Sequence, residues 1–373
     1  MRKLSDTIAR LSAMRLPAMG TPISAGDRLT DLRDFGSNPG ALRARCYLPA
    51  GLAEDAALVV VLHGCTQNAA AYDAGSGWSQ LADRHGFALL YPEQTRSNNA
   101  NLCFTWFEPD HIRRDAGEAL SIRQMIGAMI DAYTIDPTRI FVTGLSAGGA
   151  MTSVMLSTYP EVFAGGAIVA GLPYGAATSM AQAFDRMRGH GGPDEAGLAA
   201  LVRSASAHKG AWPTISVWHG SADTTVSAAN ADAIVAQWRE LHGVDARPSR
   251  CDTIDGYPHR VWEDGTGRSV IEAYSITGLG HGTPLATHGE DAVGDVGPHM
   301  LQAHISSTRH IAAFWGLTPA FTGEGAVSAD LAKEPASRPA RIGASLNQPA
   351  ASSPGTGVGK VIEDALRSAG LTR

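Results

Sequence analysis

The chain has 373 residues, 44% hydrophobic and 18% charged, with 42 glycines and 20 prolines; that is enough apolar material for a large core and excludes a disordered chain. Its net charge of −6 comes from 36 acidic and 30 basic side chains scattered along the sequence, so no basic tract marks a nucleic-acid partner. The longest unbroken apolar run, Ala56 to Leu62, is far shorter than the roughly 20 residues a membrane-spanning helix needs.

Residues 1–40 begin on a basic stretch, but Ser5, Asp6, Thr7 and Arg10 interrupt what would be the apolar centre of a secretory signal. Leu4, Ile8 and Leu11 share one helical face, so the segment reads as a short amphipathic helix and the cytoplasm is the expected compartment. From 41 to 318, short β-rich runs alternate with longer helical stretches, the pattern of an α/β fold whose mainly parallel sheet carries helices on both faces. Ala57 to Leu62 is apolar at every position, as a strand buried on both faces should be. Phe87 to Tyr91, Ile140 to Thr143 and Thr214 to Trp218 are further expected strands. Between the second and third, Ile122, Met125, Ile126, Met129 and Ile130 fall at helical spacing within Ser121 to Tyr133.

Residues 171–211 break this rhythm. They are rich in Gly and Ala, with helical pieces at Ala181 to Met187 and Gly197 to Ser204, and read as a small cap-like insertion. Ala228 to Leu241 is an expected helix, and Val261 to Glu263 with Ser269 to Ile276 an expected hairpin turning through Asp264-Gly265-Thr266-Gly267. In 319–373, Pro335, Pro339, Pro349 and Pro354 interleave with Ala, Ser and Gly as a linker. It ends in Val361, Ile362, Ala365 and Leu366 at helical spacing, a short helix expected to dock on the body or on a partner.

The strongest chemical signal is Gly144-Leu145-Ser146-Ala147-Gly148, placed between an expected strand and an expected helix. That is the setting of a nucleophile elbow, where a turn too tight for large neighbours pushes a serine hydroxyl out above the sheet. A serine needs a base in hydrogen-bond reach and a carboxylate to orient that base, in the chain order Ser, Asp or Glu, His for this kind of site. The loop after Trp218 carries Asp223, and the loop after Ile276, Thr277-Gly278-Leu279-Gly280-His281, carries His281; these complete the expected triad. Among the thirteen histidines, His219 precedes Asp223 and is expected to hydrogen-bond under the loop, while His288, His299 and His304 end no expected sheet strand. Asp232 falls inside an expected helix and is the weaker acid. The oxyanion hole requires the N–H after the nucleophile, that of Ala147, and one from the loop His63-Gly64-Cys65-Thr66-Gln67, where Cys65 is the expected donor.

Four cysteines are too few for a disulfide scaffold, and no Cys or His spacing suits zinc, so neither metal nor organic cofactor is expected. Cys65 and Cys103 both fall near the site and can pair; four cysteines allow three connectivities, Cys46 with Cys251 among the pairs, and the sequence does not choose. Trp106, Phe107 and Tyr174 either line an apolar cleft for substrate or pack in the core. Asp115 and Glu118 precede a helix and read as N-terminal capping carboxylates.

Seven separated segments, 63–67, 103–107, 115–118, 136–140, 144–148, 170–174 and 218–223, together resemble the polyhydroxybutyrate depolymerase family of esterases in its type 1 catalytic domain, akin to feruloyl and acetylxylan esterases. The resemblance covers roughly 41–318. It implies an α/β-hydrolase fold and a serine esterase acting on hydroxyalkanoate polymers or oligomers, with Ser146, Asp223 and His281 as triad and Cys65 in the oxyanion loop. A feruloyl or acetylxylan type of carbohydrate esterase and a non-catalytic hydrolase-fold binding protein are the alternatives. The secretion signal and polymer-adhering module of extracellular members are not visible, so a soluble ester, an oligomer or an intracellular substrate is expected.

Overall fold

Residues 27–319 are described by a computed structural model, and all structural statements below concern them; the expected terminal helices near Leu4 and Val361 lie outside. The strands in chain order are β1 (Thr30–Leu32), β2 (Arg43–Tyr47), β3 (Ala56–Leu62), β4 (Ala88–Glu93), β5 (Ile135–Leu145), β6 (Gly165–Val169), β7 (Thr214–Gly220), β8 (Arg250–Ile254), β9 (Tyr257–Glu263), β10 (Ser269–Ile276), β11 (Thr283–Leu285) and β12 (Met300–Gln302). Ten of them form one sheet in the order β1-β2-β4-β3-β5-β6-β7-β10-β9-β8. From β4 to β10 neighbours run parallel, whereas β1, β2, β8 and β9 extend the edges antiparallel.

The two-residue period of a strand explains the two-sided core. In β3, Leu58, Val60 and Leu62 face one side, with the helices Gly117–Ala132, Ala147–Thr158 and Ala229–His242. Ala57, Val59 and Val61 face the other, with the helices Ala69–Ser76, Trp78–His85 and Ser307–Phe314. A strand apolar at every position is thus consumed on both faces, the α/β-hydrolase arrangement expected from its sequence. Chain order reverses across β4-β3-β5, so the loops leaving β3 and β5 splay apart at the carboxyl end of the sheet. Open α/β sheets place their ligands at such a crevice.

Several elements differ from the sequence expectation. β5 starts at Ile135 rather than Ile140, and the sheet begins at Thr30, ahead of residue 41. β6 is an unexpected strand whose first two residues are glycines. A Cβ at Gly166 would collide with the Leu156 side chain of the helix beside it and one at Gly165 with Thr214 of β7, so close packing from helix and neighbouring strand, rather than strand propensity, selects those residues. The two helices of 171–211, Met180–Met187 and Glu195–Ala205, lie beside the helix Ala229–His242: Ser227 N–H donates to the Met187 carbonyl over 2.7 Å and Gln237 Nε2 to Leu198 over 2.9 Å. No helix among the described residues is long and apolar enough to cross a membrane.

Candidate active site

Ser146 stands between β5 and the helix Ala147–Thr158 with φ 58° and ψ −116°, a conformation side chains rarely adopt. The neighbouring glycines make this turn possible. A Cβ at Gly144 would lie 2.5 Å from the Gly148 backbone, and one at Gly148 would strike the Leu62 carbonyl of β3. Ser146 N–H donates to the Val169 carbonyl over 2.9 Å and its carbonyl accepts from Ala150 over 2.8 Å, so the strained residue is held from both sides.

His281, 135 positions along the chain, brings Nε2 to 2.9 Å from Ser146 Oγ. Its Nδ1 lies 2.7 Å from Asp223 Oδ2, so the structure brings Ser146, His281 and Asp223 together in one hydrogen-bonded chain. Asp223 is held from its other oxygen by the N–H groups of Thr225 and Val226, each at 2.8 Å. Burial alone would raise the Asp223 carboxyl, but hydrogen bonds with His219 and His281 outweigh it and hold the group well below the usual carboxylate range. An ionised acceptor therefore faces Nδ1–H and leaves Nε2 to accept the serine proton.

His219 is buried, with Nε2 2.8 Å from the Val226 carbonyl and 3.5 Å from Asp223 Oδ2, so it supports the loop as expected. Of the rival histidines, His299 Nδ1 lies 3.1 Å from the His281 carbonyl and its ring meets the His281 ring edge-on at 5.7 Å. It braces the base. His288 lies 2.7 Å from Gln302 Nε2, while Asp232 accepts from Arg260 at the surface.

The loop after β3, where an oxyanion donor is expected, is fixed at nearly every residue. Gly64 N–H donates to Gln67 Oε1 over 2.9 Å, Thr66 N–H to Asn101 over 2.6 Å and Gln67 N–H to Gly64 over 3.3 Å, which engages the N–H groups flanking Cys65. Ala147 opens its helix, where the N–H has no partner within the helix. Of the open connectivities, the structure forms Cys65–Cys103 and leaves Cys46 and Cys251 as thiols.

Behind this loop lies a network that sequence reasoning missed. Burial lowers the pKa of His63. Its Nδ1 faces the Gly64 carbonyl at 2.8 Å, and its Nε2 accepts from Gln94 N–H over 3.1 Å. The Gln94 amide donates to Glu118 Oε1 over 2.6 Å and to the Cys103 carbonyl over 3.1 Å, and Glu118 Oε2 accepts from Thr105 N–H over 2.9 Å. Glu118 is wholly buried in the first turn and pins the Cys103 segment, which corrects the capping role; the cap position is Ala116, without a side-chain bond. Asp115 instead accepts from the Tyr159 hydroxyl, at 3.3 Å. Glu118 lies ahead of Ser121, where the apolar helical spacing begins, so that spacing carries no sign of the network.

The expected aromatic residues lie in packed positions. Trp106 is 6% exposed, part of the core and edge-on to Phe107, so the cleft expectation for it is corrected by burial. Tyr174 is half-buried, its hydroxyl 3.4 Å from the Ile112 carbonyl and its backbone bonded to Gln237. Among the described residues no group of three or more His, Cys, Asp or Glu side chains is arranged to hold a metal ion.

Comparison with known proteins follows the same lines. Residues 42–253 match the family model described as "Esterase PHB depolymerase". The chain is 47% identical over 291 residues to "Poly(3-hydroxyalkanoate) depolymerase C" of Paucimonas lemoignei, covering 78% of this chain and 70% of that protein. It is 32% identical over 272 residues to "Feruloyl esterase B" of Talaromyces funiculosus, covering 70% and 75%. Among solved structures, the acetyl xylan esterase from Aspergillus awamori superposes with a TM-score of 0.66 at 24% identity, covering 78% of this chain and 99% of that one; at that identity the likeness is one of fold.

Proposed function

Because this chain belongs to the esterase PHB depolymerase family and is a carboxylic ester hydrolase, we propose that it cleaves short-chain hydroxyalkanoate polymers or oligomers through an acyl-enzyme on Ser146. The observation that carries the reading is the continuous relay in which His281 Nε2 stands 2.9 Å from Ser146 Oγ and Nδ1 2.7 Å from Asp223.

Ser146 Oγ attacks the ester carbonyl carbon while its proton passes to His281 Nε2, and Asp223 stabilises the imidazolium. The carbonyl oxygen, now negative, accepts from the N–H groups of Cys65 and Ala147. Collapse expels the alcohol end of the chain, which takes the proton from His281. A water, deprotonated by the same imidazole, then releases the acid. Ser146→Ala should reduce hydrolysis of a short acyl p-nitrophenyl ester by on the order of a millionfold, to a level set by binding and the oxyanion donors alone. Retention of wild-type kcat, or failure of a fluorophosphonate probe to label Ser146, would refute the assignment.

The substrate class rests on the depolymerase relative, whose identity exceeds that of the feruloyl esterase. Hydroxybutyrate oligomers should be turned over with higher kcat/KM than feruloylated or acetylated xylan; the reverse ranking would favour the carbohydrate-esterase reading. We assign 41–318, together with the edge strand from Thr30, to one catalytic domain, with 171–211 as a lateral insertion. Tyr174 stays a candidate for lining the substrate path, and Trp106 is assigned to packing. The Cys65–Cys103 disulfide supports an oxidising compartment over the cytoplasm, since such bonds persist where thiols are not continually reduced.

A further inference from the structure

The base His281 stands near the end of a glycine-rich loop, Thr277 to Gly282. The first part of that loop is seated on the segment leading to Asp223: Gly278 N–H donates to Ser221 Oγ over 2.9 Å, and the Leu279 carbonyl accepts from Ala222 over 3.0 Å. At the base itself the hold comes from a different part of the chain. His299 Nδ1 lies 3.1 Å from the His281 carbonyl, and because a carbonyl oxygen only accepts, that nitrogen carries the proton. The two rings meet edge-on with centroids 5.7 Å apart, so the same side chain also stands against the catalytic ring.

His299 is itself tightly placed. It lies in the turn Gly297 to Met300, closed by two reciprocal backbone bonds of 3.0 Å between those end residues. Its φ is +61°, a left-handed conformation uncommon for a residue with a side chain and sustained only where the surroundings fix it. The His299 carbonyl accepts from Thr283 N–H over 2.8 Å; Gly282 permits this approach, since a Cβ there would lie 2.7 Å from that oxygen. Met300, buried, then pairs with Thr283 in the parallel ladder of β11 and β12. His299 thus bonds the chain at the base and again two residues beyond it.

The residue before His299 serves the other half of the site. The Pro298 carbonyl accepts from Gln67 Nε2 over 3.3 Å, and Gln67 Oε1 accepts from Gly64 N–H beside Cys65. One turn therefore ties the loop of the base to the loop expected to supply an oxyanion donor.

We propose that His299 is a positioning residue for acyl transfer, a role that rests on the acyl-enzyme reading of Ser146. Its Nδ1–H fixes the His281 backbone and thereby the 2.9 Å separation between His281 Nε2 and Ser146 Oγ. A misplacement of about 1 Å in a catalytic group can cost about 100-fold in rate, so the effect belongs in kcat rather than in KM.

The test compares full-length wild type with His299→Gly, His299→Asn and His299→Asp. Each is assayed for hydrolysis of a short acyl p-nitrophenyl ester and for the rate at which a fluorophosphonate labels Ser146, with urea unfolding as the check that it is folded. All three replacements tolerate a positive φ. Asparagine supplies an N–H donor one bond from Cγ, as the histidine does; aspartate has the same shape without the donor, and glycine has neither. His299→Gly and His299→Asp should lower kcat by about 10- to 100-fold and slow labelling in parallel, with KM within about twofold of wild type. His299→Asn should bring kcat back to within about threefold of wild type, which a role in stability alone would not do. Wild-type kcat in both donorless variants overturns the proposal, as does an asparagine variant no faster than the aspartate one. A rise in KM at unchanged kcat also overturns it, by placing His299 in substrate binding. A wild-type protein that neither hydrolyses the ester nor takes the label overturns the acyl-enzyme reading and this role with it, whereas an active wild type with indifferent variants overturns this role alone.

Discussion

At Asp223 two backbone donors decide what a substitution would do. The N–H groups of Thr225 and Val226 both point at Oδ1 from 2.8 Å, and His281 Nδ1 faces Oδ2 at 2.7 Å. In Asp223→Asn the amide oxygen must satisfy the two N–H groups, which turns the NH2 group toward His281. The imidazole then answers with a bare Nδ1 and carries its proton on Nε2, where it no longer accepts from Ser146. We expect kcat to fall about 10,000-fold with the fold intact by circular dichroism, the size of effect a wrong tautomer has in triads of this kind. A loss below tenfold would mean that Asp223 does not set the tautomer. Both His281 and Asp223 are legible in sequence because each lies in a loop that directly follows an expected strand, Ser269 to Ile276 for the histidine and Thr214 to Trp218 for the aspartate. Trp106 is not, because an aromatic residue in a loop reads the same whether displayed or packed. Its burial predicts that Trp106→Ala costs about 3–5 kcal/mol of stability in urea unfolding, with KM for short esters unchanged.

The loop proposed to carry the oxyanion donor Cys65 acts as an element through its attachments. It leaves β3, is tied to Asn101 by Thr66 and to Pro298 by Gln67 Nε2 at 3.3 Å, and is joined by the disulfide to a segment that buried Glu118 pins through Thr105. A donor contributes to an oxyanion hole only if it is already in place when charge develops. Cys103→Ser releases one of these attachments without removing the Cys65 N–H. It should lower kcat on short acyl esters by about tenfold, short of the 100- to 1000-fold that loss of a donor costs, while fluorophosphonate labelling of Ser146 persists. Unchanged kcat in that variant would show that the backbone bonds suffice. Sequence places this loop through its position after Ala57 to Leu62, but not its clamp. Cys65 and Cys103 are separated by 38 positions, and their approach depends on the Gln94 and Glu118 contacts, which leave no periodic trace. β6 is hidden for a related reason: its two glycines answer to a packed helix and to Thr214 of the next strand, whereas a strand is recognised by the side chains it has.

Across the whole molecule, the same burial that builds a two-sided core traps histidines in neutral form, and this sets the response to acid. His242, with Nε2 3.1 Å from the Pro213 carbonyl, is pushed down to about 4 by burial, and burial also lowers His63 and His310. An unfolded chain's histidine titrates near about 6.5. Between those values the unfolded chain takes up a proton that the folded His242 refuses, so this stability is fully present above about 6.5 and is lost as pH falls through about 4. Asp223 has the same sign in a lower window: its carboxylate is held below the usual range, and its contribution disappears only as pH drops beneath about 3.9 toward the folded value. Acid should therefore weaken the fold in two stages, histidines first. Urea unfolding at pH 7 and pH 5 should differ by about 2 kcal/mol on account of His242 alone, one unit of pKa difference being worth about 1.4 kcal/mol. In His242→Gln the amide can still donate to Pro213 but cannot take up a proton, so the difference between the two pH values should shrink by that amount. If the variant and the wild type lose stability in parallel from pH 7 to pH 5, the acid response lies with other groups and the buried neutral state of His242 is wrong.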